Sequence, residues 1–266
     1  MTEQSIVLAD TNAQGVLRLT LNNPARCNAL SEAMLAQLHK AMQDAAIDPK
    51  VRVIVLAANG PVFCAGHDLK ELTAGRKSDD HGREYFSKIM SLCGAMMQAI
   101  VNNPKPVIAE VSGIATAAGC QLVASCDLAY ADEAIAFSTP GVNIGLFCST
   151  PMVALSRNVS NKHALEMLLT GDMISAQRAL EIGLINRTTN ASELTDITME
   201  VAGKIAAKSS KTLAIGKQAF YQQQPLSLSD AYDLCANVMV ENMLAEDAKE
   251  GINAFIEKRV PQWRDE

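Results

Sequence analysis

Residues 105–127 read KPVIAEVSGIATAAGCQLVASCD, and this stretch decides the architecture. Pro104-Lys105-Pro106 breaks the preceding helical pattern, and Val107-Ile-Ala-Glu-Val111 is a short apolar run of strand type. Ser112-Gly113 turns the chain into the small-residue segment Ile114-Ala-Thr-Ala-Ala-Gly119, from which a helix is expected to run to about Ser125. Asp127-Leu-Ala-Tyr-Ala131 is strand again. Strand, turn, helix and strand in so short a span describe a layered α/β body.

The same alternation extends towards the N-terminus. Gly15-Val-Leu-Arg-Leu-Thr-Leu21 has strand alternation and stops at the turn cluster Asn22-Asn23-Pro24. Ser31 is placed to cap a helix whose apolar face is Met34, Leu35, Leu38, Met42 and Ala45, ended by Asp48-Pro49. Val51-Arg-Val-Ile-Val-Leu-Ala57 suits a strand covered on both faces. Asn59 to Leu69 reads as a strand running into a glycine turn, and the polar stretch 76–82 (RKSDDHG) as a mobile loop. A helix from Arg83 to Val101 carries Phe86, Ile89, Met90, Cys93, Met97 and Ile100 on one side. Beyond Ser149 the pattern is mostly helical, with helices at 191–207, 209–223 and 227–257, the last broken near Ala245. The expected organisation is an α/β core over residues 1–195 and a helical appendage over 196–266.

Bulk composition narrows the partners. With 48% hydrophobic and 20% charged residues, the 266-residue chain is ordinary for a globular protein with a large core. A formal net charge of −6 argues against nucleic acid or an anionic membrane as a general partner. The seven cysteines lack paired short spacings, so neither a disulfide framework nor a zinc site is expected; most sit in apolar runs and read as small buried hydrophobes. MTEQSIVLAD lacks the basic and apolar regions of a signal peptide, and no apolar run reaches the roughly 18 residues of a membrane span. These features point to the cytoplasm.

Two places can present backbone N–H groups to a ligand. One is the turn Cys64-Ala-Gly-His-Asp-Leu-Lys-Glu71; the other is the helix start at Ala117-Ala118-Gly119. Small residues permit close approach, and a helix N-terminus has unsatisfied donors. Two converging donors form an oxyanion hole for a carbonyl oxygen that gains negative charge. Close packing alone also explains such junctions, and the residue pattern by itself leaves both readings open.

A wider set of motifs resembles the crotonase (enoyl-CoA hydratase/isomerase) family. Gly66-His-Asp-Leu-Lys-Glu71 is similar to its A-G-x-D-[IL]-K-E turn. Lys105-Pro-Val-Ile-Ala-Glu-Val-Ser-Gly113, Ala117-Ala118-Gly119-Cys-Gln-Leu122 and Cys126-Asp127 resemble its central signature. Asn22-Asn-Pro-Ala-Arg-Cys-Asn-Ala29, Leu169-Thr-Gly-Asp-Met-Ile-Ser-Ala-Gln177, Ala179-Leu-Glu-Ile-Gly-Leu184, Glu246-Asp-Ala-Lys-Glu-Gly251 and Phe255-Ile-Glu-Lys-Arg259 match further segments, in order along nearly the whole chain. The resemblance implies a spiral of ββα units with a C-terminal trimerisation segment, assembled as a homotrimer or a hexamer of two trimers. It implies an acyl-CoA thioester as ligand, with coenzyme A part of the substrate and no separate cofactor or metal. The N–H groups of His67 and Ala118 would form the oxyanion hole. Ala65, Gly66, His67, Asp68, Leu69 and Lys70 would line the CoA site with Arg26, and Asn143 would meet the acyl end. Lys70 has two readings, a phosphate contact or a solvated surface lysine.

The pattern breaks at two positions. Family hydratases carry a glutamate where this chain has Gln121, and a second where it has Gly141 in Pro140-Gly-Val-Asn-Ile-Gly145. Glutamine can hold water but cannot take its proton at neutral pH, and glycine has no side chain. A positioned acid or base contributes roughly 3–5 kcal/mol of barrier lowering, so two-glutamate hydration is not expected. His67 is the replacement acid–base candidate with the best-matched pKa, while Cys148 reads as packing. Asp68 and Glu71 are expected to cap or pair locally, Glu110 and Asp127 to be structural, and His39, His81 and His163 to lie at the surface. Gly141 would leave room for a larger acyl group. Three functions follow: enolate chemistry on a CoA thioester within this family; decarboxylation or thioester hydrolysis; or acyl-CoA binding without catalysis.

Overall fold

The computed structural model describes residues 5–265, so the first four residues of the N-terminal stretch read above lie outside it. The chain opens with β1 (Val7–Thr11), β2 (Val16–Leu21) and α1 (Glu32–Ile47). Three successive units follow: β3 (Val53–Ala58), β4 (Val62–Cys64), α2 (Leu69–Gly75) and α3 (Arg83–Val101); β5 (Val107–Val111), β6 (Ile114–Thr116) and α4 (Ala118–Ser125); then β7 (Leu128–Asp132), β8 (Ala136–Ser138) and α5 (Ser149–Asn158). In each unit the first strand joins a six-stranded sheet, β1-β2-β3-β5-β7-β10, and the second joins a four-stranded sheet, β4-β6-β8-β9. This is a spiral of ββα turns. The chain continues through α6 (Asn161–Thr170), β9 (Ile174–Ser175), α7 (Ala176–Glu181) and β10 (Arg187–Thr189). It ends in α8 (Ala191–Ala206), α9 (Ser210–Gln223), α10 (Leu228–Leu244) and α11 (Glu246–Glu257).

Burial explains the strand types. All six residues of β3 are buried, with Ile54 and Leu56 in the core shared with α1 and α3. Val53 and Val55 face the other way, into a second cluster with Leu194, Ala202 and Ala206 of α8. A two-sided strand therefore reads as a continuous apolar run. The core thus extends through α8, across the boundary expected at residue 195. Ser31 caps α1 by accepting from Met34 N at 3.1 Å, and the five residues of its expected face are buried. In α3 the buried face is Ile89, Cys93, Met96, Met97 and Ile100, whereas Phe86 and Met90 are half-buried. Phe86 instead takes Arg76 over its ring, 5.2 Å from the centroid. The stretch 76–82 forms a hydrogen-bonded turn: Ser78 Oγ donates to Gly75 O at 2.9 Å, and Gly82 N donates to Asp80 Oδ1 at 2.9 Å.

A buried ion pair fastens α9 to the core. Lys217 Nζ meets Asp127 Oδ2 at 2.7 Å and donates to Ile100 O at 2.9 Å and Lys105 O at 3.0 Å. Asp127 also accepts from Val107 N at 2.7 Å and Tyr221 Oη at 2.9 Å. Glu110 likewise points into protein, accepting from Arg18 and from Thr195 Oγ1 at 2.9 Å. Beyond α9 the burial changes character. Tyr232, Met239, Met243 and Leu244 of α10 and Phe255 and Ile256 of α11 are all exposed. No described helix is long and apolar enough to cross a membrane.

Candidate active site

The turn after β4 and the start of α4 are built against each other. Gly66 has φ +87°, and a Cβ there would stand 2.8 Å from Ala117 Cβ and 3.1 Å from Ala118 N. A Cβ on Gly119 would stand 2.0 Å from Cys64 O, which only glycine avoids. Ala117, the N-cap of α4, has φ 51° and ψ −121°, a conformation rare outside glycine. Strain of this kind costs about 1–3 kcal/mol and persists where the surroundings impose it, characteristically at functional sites. The surroundings are visible: Ala117 N donates to Ser138 O at 2.9 Å, and α4 is buried along its whole length.

The turn itself is held from the opposite side. Leu30 N donates to Gly66 O at 2.8 Å, and Leu30 pairs with His67 as an isolated parallel bridge. In such a bridge the N–H of His67 is directed away from Leu30. Neither the His67 N–H nor the Ala118 N–H meets an acceptor among the described residues. Two free donors thus flank the Gly66–Ala117 contact, and the second lies at a helix N-terminus with its partial positive charge.

The other expected ligand contacts divide. Asp68 is buried and caps α2, its Oδ1 accepting from Lys70 N at 2.9 Å and Glu71 N at 3.2 Å, while Oδ2 pairs with Arg26 at 2.7 Å. Glu71 accepts from Glu32 N at 2.9 Å. Asp68, Glu71 and Arg26 therefore brace the turn. Ala65 is exposed, with its N donating to Cys27 O at 3.1 Å. Leu69 and Lys70 line an open cleft of about 370 Å³ with Thr73, Ala74 and Lys77, so Lys77 is a second cation that sequence reading missed. Nothing in its spacing marked it, because it lies two residues past the short helix α2, in the stretch read as a mobile loop. Asn143 is exposed, and its Nδ2 lies 3.1 Å from where a Cβ on Gly171 would stand.

Gln121 lies one turn into α4 and is buried, with Cys93 Sγ 4.0 Å from its Oε1. Gly141 follows β8 on a short 3-10 turn, Pro140–Ile144. The open room expected there is absent. A Cβ on Gly141 would meet Leu146 O at 2.7 Å and Cys148 Sγ at 2.9 Å, so a backbone carbonyl and a thiol occupy that volume. Burial pushes the Cys148 thiol above its ordinary pKa, so it is protonated at neutral pH. The His67 ring nitrogens are both shielded from solvent and meet no partner at hydrogen-bond geometry among the described residues. Burial lowers the imidazole pKa below 6.5, offset in part by the Leu30 backbone, so the ring is neutral at pH 7. Of the remaining histidines, His81 is exposed but His39 and His163 are half-buried.

Comparison with known proteins bears on the family and the fold. The enoyl-CoA hydratase/isomerase family model matches residues 11–266. The mouse mitochondrial enoyl-CoA hydratase domain-containing protein 3 is 49% identical over 257 residues, covering 96% of this chain and 84% of its own. A crystal structure of an enoyl-CoA hydratase from Mycobacterium smegmatis superposes with a TM-score of 0.93 at 49% identity, covering 98% of this chain and 99% of that one. The human enoyl-Coenzyme A hydratase domain-containing protein 3 gives 0.92 at 47% identity, covering 97% and 100%. The mouse relative's mitochondrial name overturns the cytoplasmic expectation, which rested on the lack of a signal-peptide pattern and of a membrane span. Motifs, ββα spiral and relatives agree: the chain belongs to the enoyl-CoA hydratase/isomerase family.

Proposed function

We propose that this chain binds an acyl-CoA thioester and stabilises its enolate with the N–H groups of His67 and Ala118, in a reaction other than two-glutamate hydration. The observation that carries the reading is the pair of unpartnered donors beside the strained Ala117. Donors fixed before the reaction need no reorganisation when the thioester oxygen becomes negative. The cleft along α2 suits the anionic end of coenzyme A, with Lys70 and Lys77 supplying charge to an otherwise acidic protein.

The side chains around the donors constrain the chemistry. Gln121 holds a hydrogen bond without taking a proton, and Gly141 offers nothing. A neutral His67 ring of lowered pKa is a weak base, and the buried Cys148 thiol, its pKa raised, stays protonated at neutral pH and supplies no base. Reactions that form the enolate by losing a group, decarboxylation above all, need the oxyanion hole more than a base. Thioester hydrolysis and acyl-CoA binding without turnover are the competing readings. The large apolar side chains that α10 and α11 leave exposed are the kind of surface that marks an interface, which supports the homotrimer or hexamer.

The test has two parts. Calorimetric titration with acetyl-CoA and crotonyl-CoA is expected to show binding below high micromolar concentration. Crotonyl-CoA absorbance should then stay unchanged while malonyl-type thioesters are screened for carbon dioxide release. Absence of thioester binding refutes the reading, and efficient hydration of crotonyl-CoA refutes its mechanistic half.

A further inference from the structure

The geometry points to Cys148 as the residue that limits acyl-group size, by filling the volume beside Gly141. This inference rests on the acyl-CoA reading above and adds the class of thioester preferred, namely one with a short acyl group. Replacing a glutamate by glycine on an otherwise fixed backbone leaves a hole. Here the chain after Gly141 has closed over it. Leu146 N donates back to Gly141 O at 2.9 Å, and Gly145 N to Val142 O at 3.3 Å, making a tight return between Gly141 and Cys148. The return places Leu146 O 2.7 Å and Cys148 Sγ 2.9 Å from the position a Gly141 Cβ would take.

The two fillers differ in what can be changed. Leu146 O is backbone, fixed by the turn. Cys148 is a side chain, 8% exposed, at the N-cap of α5, where its side chain makes no capping hydrogen bond. Removing its sulfur therefore leaves the helix start intact. The neighbourhood is that of the oxyanion donors. Ser138 O, three residues before Gly141, accepts from Ala117 N, and α5 packs along α4. A group lying on the two donors and extending towards Gly141 meets the Cys148 thiol, a compact apolar wall.

The test compares affinities for free coenzyme A, acetyl-CoA and octanoyl-CoA, by calorimetry, in the wild type, Cys148→Ala and Cys148→Ser. One methylene-sized change in an apolar pocket alters discrimination by about 10-fold or more. Cys148→Ala is expected to improve octanoyl-CoA relative to acetyl-CoA by about 10-fold, with coenzyme A binding unchanged. Cys148→Ser, close in size to cysteine, should keep the wild-type ratio. An unchanged ratio in Cys148→Ala with coenzyme A binding intact overturns this inference alone. Failure of the wild type to bind any of the thioesters removes the acyl-CoA reading and this inference with it.

Discussion

Replacing Lys217 by methionine keeps most of the side-chain volume and removes one charge from the joint between α9 and the core. The pair is well shielded, with side-chain exposures of 8% for Lys217 and 16% for Asp127. All three ammonium hydrogens have acceptors, so Lys217→Met leaves Asp127 without its cation and the carbonyls of Ile100 and Lys105 without their donor. Burial lowers the Lys217 pKa despite the attraction of Asp127. Desolvation therefore takes back much of the pair's Coulomb energy, and the pair as a whole stabilises little. Breaking one half is different, because the other charge stays buried; such losses run at about 3–5 kcal/mol. Val107 N and Tyr221 Oη still donate to Asp127, which favours the lower part of that range. Urea unfolding followed by circular dichroism measures the loss. Fluorescence of the single tryptophan, Trp263, whose Nε1 donates to Ala207 O, reports the C-terminal helices separately. The double variant Lys217→Met/Asp127→Asn should recover at least about 1 kcal/mol relative to the sum of the singles. A loss below about 1 kcal/mol in Lys217→Met would refute the reasoning, since surface pairs give that much.

Four further outcomes follow. Gly119→Ala drives a Cβ into Cys64 O and should destabilise by about 3 kcal/mol or more, measured by urea unfolding, with thioester binding lost by calorimetry. Gly141→Glu must displace Leu146 O or Cys148, so it should lower stability by about 1–3 kcal/mol and, alone, bring no crotonyl-CoA hydration. Asp68→Ala removes the α2 cap and the Arg26 pair; a loss of about 1–2 kcal/mol is expected, with Arg26→Ala costing less because that side chain is 45% exposed. Because burial lowers the folded His67 pKa, the unfolded chain binds a proton the folded chain refuses between that lowered value and pH 6.5. Stability should therefore fall as pH drops through this window, by up to about 1.4 kcal/mol per pH unit, and His67→Asn should flatten the slope in melts at pH 7 and pH 5.

Much of this was legible in the sequence, for reasons that differ by residue. The α1 face was readable because Met34, Leu35, Leu38, Met42 and Ala45 pack against one core and Ser31 caps in the ordinary way. The two-sided burial of β3 showed as an unbroken apolar run. The short strands β6, β8 and β9 gave no signal, since strands of three residues or fewer have too few positions for alternation to appear. Gly66 and Gly119 marked a close approach, but which backbone they admit, Ala117–Ala118 and Cys64 respectively, is a tertiary fact. The reading of Gly141 as open space failed because the space is closed by residues up to seven positions later, through a turn that composition does not reveal. Lys217 was hidden because its partner Asp127, between α4 and β7, is far from it in the chain.

Isotope-edited infrared difference spectroscopy of carbonyl-labelled crotonyl-CoA tests the central claim most directly. If the His67 and Ala118 N–H groups polarise the thioester, its carbonyl stretch should move to lower frequency on binding, with the crotonyl double bond left intact. A bound thioester whose carbonyl stretch matches that in water, or a double bond that disappears by hydration, would contradict the account.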